Sequence, residues 1–136
     1  IDKASETIMA FCFDNIEYLM QKATLQNIAE YQESGKIYLS AIGKDDNTYI
    51  SSISVSKTVA VWFMRVTKYT NYASYIGTGI YTWDEDDAYG IAMDASEPGK
   101  SPKYGASHGK STSTKLYFEH WHDSNHRGHA FYGQPV

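Results

Sequence analysis

A chain of 136 residues is the right size for a single domain and long enough to bury one core without disulfides or metals, so a single domain spanning 1–136 is expected. Its 42% hydrophobic and 15% aromatic content, with 12 tyrosines, excludes a disordered chain, and its longest apolar runs, 8–13 and 59–64, fall short of the roughly 18 residues of a membrane-spanning helix. The formal charge of −4 weighs against a general nucleic-acid binder, yet residues 98–136 carry 5 basic against 2 acidic residues while residues 1–97 carry 7 against 14.

Ser5 reads as an N-cap, and Ile8, Phe11, Cys12, Ile16, Leu19 and Met20 recur at helical spacing, which predicts an amphipathic helix over 5–22. The lone Cys12 sits among apolar residues and reads as a buried structural thiol, so no intramolecular disulfide is available. Leu25, Ile28 and Ala29 predict a second helical stretch that ends before Gly35, a residue suited to a left-handed cap. The period then changes: 36–42 and 49–55 alternate as strands about a turn at 44–47. The β-branched and aromatic run 59–66 is expected to be a central strand, and 76–82 another. Acidic residues 84–87 precede Ala88, Ile91, Ala92 and Ala95, and acids favour a helix N-terminus, so a helix over 85–96 is expected there rather than a calcium loop. A polar Gly/Ser/Lys loop follows over 97–112, and 115–123 with 129–132 form the last two strands. The expected fold class is α+β: N-terminal helices followed by a mainly antiparallel sheet interrupted by one helix.

All five histidines, His108, His120, His122, His126 and His129, lie in the basic tail. Strand alternation places His120 and His122 on one face, and a hairpin loop at 123–128 sets His129 opposite His122 on that same face. Neighbouring imidazoles offer two chemistries. One is a zinc-type nitrogen ligand set. The other is general acid–base catalysis, in which one ring accepts a proton and another donates it. Cleavage of RNA through its own 2′-hydroxyl needs the second chemistry and a cation for the charge developing on phosphate, with no metal or cofactor. The expected catalytic residues are therefore His120, His122, His129 and Arg127, and the expected substrate-binding residues are Lys110, Lys115, His108 and Tyr132, although alternation alone points Tyr132 to the opposite face. The plain alternative is an edge hairpin of exposed polar histidines packed by Trp121, Phe131 and Tyr132.

The stretch from Gly79-Ile80-Tyr81-Thr82-Trp83 through Ala88-Tyr89-Gly90-Ile91-Ala92, then Tyr117-Phe118-Glu119-His120-Trp121-His122, then Gly128-His129-Ala130-Phe131-Tyr132-Gly133, resembles the C-terminal toxin domains of bacterial polymorphic toxins. These are the variable tips of large secreted proteins of the wall-associated, rearrangement-hotspot, LXG and contact-dependent inhibition kinds. The resemblance spans 79–133 and leaves the first 78 residues without a counterpart. It implies a domain secreted as the tip of a larger protein, acting in the cytoplasm of a competitor and neutralised in the producer by a cognate immunity protein. Many such tips are ribonucleases that attack tRNA, and the carried-over residues are His120, His122 and His129. A start at Ile1 rather than methionine agrees with an excised tip, expected to be a monomer outside its immunity complex. Two rivals stand beside it. Tyr75-Ile76-Gly77-Thr78-Gly79-Ile80-Tyr81 is similar to a strand of NAD-dependent ADP-ribosyltransferases, for which Arg65 would be the upstream basic residue. A carbohydrate- or protein-binding module would use the tyrosines and tryptophans as its contact surface.

Overall fold

The computed structural model describes residues 2–66 and 75–136, and these form an α+β fold. Helix α1 (Lys3–Asp14) is capped by Asp2, whose carboxylate accepts from the Ser5 backbone N–H at 2.8 Å, so the cap lies three residues before the Ser5 that the sequence suggests. The predicted 5–22 helix is broken at Asn15, whose backbone and side-chain N–H groups both bond the Phe11 carbonyl. A short turn of helix α2 (Ile16–Leu19) follows, and the chain then straightens into strand β1 (Met20–Lys22). A 3-10 turn over Ile28–Tyr31 takes the place of the second helix. Gly35 does adopt the left-handed conformation (φ 85°) before strand β2 (Ile37–Gly43). Strand β3 (Thr48–Ser54) completes the expected hairpin.

The run expected as a central strand is helix α3 (Lys57–Val66), and the sheet is therefore interrupted by two helices rather than one. Ser56 opens it, its hydroxyl accepting from the Val59 N–H and its carbonyl from the Ala60 N–H. Val59, Ala60, Phe63 and Met64 are buried, the spacing of one helical stripe and not of strand alternation. Strand β4 (Tyr75–Thr82) and helix α4 (Glu85–Ala95) lie where expected. The polar loop contains a short strand β5 (Lys103–Gly105); β6 (His120–His122) is shorter than the predicted 115–123, and β7 (His129–Tyr132) has the predicted bounds.

The seven strands of the described residues form one sheet in the order β1-β3-β2-β4-β7-β6-β5, antiparallel except for the parallel pair β4 and β7. One face carries Leu39, Ala41, Ile80 and Ala130 against the helices, where they pack with Cys12, Phe63, Met64, Ile91 and Ala92. The buried Cys12 thiol belongs to this layer. The opposite face carries Tyr38, Ile42, Ile50, Tyr81 and Phe131, covered by Ile28, Tyr31, Leu116 and Phe118 from the non-strand segments. It is at the β7-β6 end of this second face that the histidines gather. No helix among the described residues is long and apolar enough to cross a membrane.

Candidate functional site

The register of β6 and β7 pairs His122 with His129, as expected from the sequence, and His120 with Phe131. Trp121 and Ala130 turn to the helices, leaving the three imidazoles on the other face. Ring centroids lie 4.7 Å apart for His120 and His122, 4.7 Å for His122 and His129, and 5.0 Å for His120 and His129. Two further histidines join them. Strand β5 pairs with β6, Gly105 against His120, and so draws the polar loop back until His108 lies 5.1 Å from His120 and 5.8 Å from His129. His126, left-handed in the hairpin loop (φ 53°), lies tilted against His122 at 4.6 Å.

Glycines make the space. A Cβ on Gly105 would stand 2.3 Å from His120 Nε2, and one on Gly77 would meet the His129 ring at 3.2 Å. A Cβ on Gly79 would strike the His129 backbone, so that glycine permits the close parallel pairing of β4 with β7. The Gly-Thr-Gly of β4, similar in sequence to a transferase strand, thus lies against His129, whereas Arg65 sits on α3 and donates to the Asp94 carbonyl on the helical side.

Each of the three central rings has its Nδ1 on a backbone carbonyl: His120 on Phe118 at 3.3 Å, His122 on Gly128 at 3.1 Å and His129 on Thr78 at 3.4 Å. A carbonyl oxygen only accepts, so each Nδ1 carries the proton of its neutral ring and the lone pair sits on Nε2. His120 Nε2 and His122 Nε2 are 3.1 Å apart. Two such lone pairs repel at that distance unless a proton or another cation lies between them.

Burial works against the proton. His120, only 1% exposed, has its pKa pushed down to about 4, chiefly by desolvation and further by the neighbouring His122 and His108. Desolvation, then His120 and His122, push His129 down to about 3. His122, half-buried, is lowered by the same desolvation, which the Gly128 carbonyl opposes. At neutral pH the interior of the cluster is a set of uncharged bases. It reaches solvent through the exposed His108 and His126 and the half-buried His122.

The other expected site residues divide. Lys110 is exposed on the loop just after His108. Lys115 donates from Nζ to the Asp45 carbonyl at 2.9 Å. Arg127 is turned towards α4: its Nε pairs with Asp123 at 3.1 Å and its Nη2 donates to the Ala95 carbonyl at 2.9 Å. Tyr132 faces the helical side, where its hydroxyl donates to Glu119 at 3.2 Å and burial raises its pKa. Three contributors escape the sequence reading. Gly77 and Gly105 are legible only as strand glycines, which often mark close approach. Asp123, fully buried, accepts from the backbone of Asn125, Arg127 and Gly128 and so shapes the hairpin loop, a role its position before a polar turn could have signalled.

A cavity of about 600 Å³ opens on the helical side between Lys57, Trp62, Arg65 and Asp94. Its charges are already engaged, Lys57 with Asp94 at 3.0 Å and Arg65 with the Asp94 carbonyl, so volume and chemistry lie apart in this molecule. Comparison with protein-family models, curated proteins and solved structures finds no match to this chain.

Proposed function

We propose that this chain is an RNA-cleaving, toxin-type domain whose reaction centre is the histidine cluster. One observation carries the proposal: the Nε2 atoms of His120 and His122 face each other at 3.1 Å with both Nδ1 atoms tied to carbonyls. A proton between the two nitrogens relieves the repulsion of their lone pairs, at the desolvation cost that burial imposes. In the reaction, His122, the member nearer solvent, removes the proton of a ribose 2′-hydroxyl and shares it with His120. The 2′-oxygen bonds to phosphorus, the bond to the 5′-oxygen breaks, and the leaving oxygen takes a proton from the imidazolium form of the exposed His108, which returns to neutral imidazole. Lys110, beside His108 on the loop, replaces Arg127 as the cation for the phosphate, since Arg127 holds the hairpin loop. The basic balance of residues 98–136 suits an anionic substrate, and tRNA is the first to try.

The toxin setting rests on the resemblance of 79–133: delivery at the tip of a larger secreted protein, action in a target-cell cytoplasm, and an immunity protein that blocks the mouth formed by His108, His122 and His126. The test is incubation with total tRNA in EDTA. Cleavage by the wild type that drops about 100-fold or more in His122→Ala supports the reading. Intact RNA with and without divalent metal rejects it, and loss of added NAD with dependence on Arg65 would replace it by the transferase.

A further inference from the structure

We propose that the same histidines form a site for one first-row divalent metal ion of the zinc type, held by His108, His120 and His129 with His122 closing the fourth side. One ring nitrogen from each of the first three lies within 4.8 Å of the others. Zinc–nitrogen bonds of 2.0–2.1 Å in a tetrahedron put neighbouring nitrogens about 3.4 Å apart. His120 Nε2 and His122 Nε2, at 3.1 Å, already stand close to that spacing. His108 rides on an exposed loop and can close the remaining distance.

The orientation of the rings supports the assignment independently of spacing. Histidines that bind metal through one nitrogen usually donate the other N–H to a carbonyl or carboxylate, which fixes the ring and raises its basicity. All three inner rings have that arrangement, through Phe118, Gly128 and Thr78. A divalent ion between the two nitrogens would relieve the repulsion of the His120 and His122 lone pairs at 3.1 Å. A set of imidazoles without a carboxylate or thiolate prefers zinc, copper, nickel or cobalt and discriminates against magnesium and calcium. With four imidazoles engaged, the ion would occupy the lone pairs that proton transfer needs, so zinc would suppress the RNA cleavage proposed above rather than support it. The site itself does not depend on that reading.

The test uses the whole chain, stripped with EDTA, freed of the chelator and titrated with Zn2+ in competition with a chromophoric chelator. Co2+ serves as a spectroscopic probe. One saturable equivalent is expected, with the visible absorption of tetrahedral cobalt and no effect of millimolar Mg2+. Affinity should fall by at least about 10- to 100-fold in His108→Ala and in His120→Gln, since even outer partners of a metal site are worth that much. His126→Ala, which keeps all four proposed ligands, should bind as the wild type does. Unchanged affinity in His108→Ala overturns the site, as does the absence of saturable binding. Should His120→Gln fail to fold, His108→Ala decides alone, because it alters only an exposed loop residue. Zinc bound while RNA stays intact in EDTA upholds the metal site and removes the nuclease. RNA cut in EDTA by a chain without a zinc site does the reverse.

Discussion

Asp123 shapes the hairpin loop beside the histidines, although it touches none of the proposed chemistry. It is fully buried and accepts four hydrogen bonds, from the backbone N–H groups of Asn125, Arg127 and Gly128 and from Arg127 Nε. Those bonds set the loop whose Gly128 carbonyl orients His122. Asp123→Ala leaves Arg127 half-buried beside three unmatched backbone donors, and a loss of about 3–5 kcal/mol is expected from urea unfolding. A loss under about 1 kcal/mol would show that Arg127 finds another partner at little cost. Gly105→Ala acts differently. Its new methyl group would occupy the space of His120 Nε2, at 2.3 Å, and the ring is the part able to move. The expected result is a folded protein in which the His120 nitrogen resonances shift and RNA cleavage and zinc binding both weaken; unshifted resonances would mean that the β5 backbone yields instead.

At the scale of elements, α3 shows how tertiary context overrides a local pattern. Its valines and aromatics fit a strand, yet Ser56 caps it and Val59, Ala60, Phe63 and Met64 form one buried stripe. Phe63 is wholly buried beside Phe13, with ring centroids 5.6 Å apart, so Phe63→Ala should cost about 3–5 kcal/mol by chemical denaturation. If α3 were a surface helix loosely laid on the sheet, the cost would fall below about 1 kcal/mol. The β6-β7 hairpin is the opposite case. Its register follows from alternation and loop length, and a slip by one residue would have sent His129 to the helical face.

For the molecule as a whole, burying neutral histidines links stability to pH. The folded pKa values of His120 and His129, about 4 and about 3, lie below the unfolded value of about 6.5, so the unfolded chain binds the extra protons. Their contribution is complete above about pH 6.5 and is lost as pH falls towards the folded values, at a slope of up to about 1.4 kcal/mol per pH unit for each histidine. Melting in EDTA should therefore drop steadily from pH 7 to pH 4.5, and the drop should be shallower in His129→Gln. A wild-type melting temperature that stays level across this range would mean that the rings are hydrated.

The sequence by itself was sufficient for the α+β class, the hairpins β2-β3 and β6-β7, helix α4 and the gathering of His120, His122 and His129, because alternation and helical spacing are local and each is set by which face must be buried. It placed His108 among the substrate-binding residues but could not show that its ring packs against His120 and His129, since that depends on a three-residue strand pairing with β6. Alternation already pointed Tyr132 to the helical side, but the sequence could not show that Arg127 turns there too, or that Gly77 and Gly105 clear room for two rings. Those outcomes are decided by packing between segments far apart in the chain, where a single carbonyl or an absent methyl group settles which nitrogen of an imidazole is left to react.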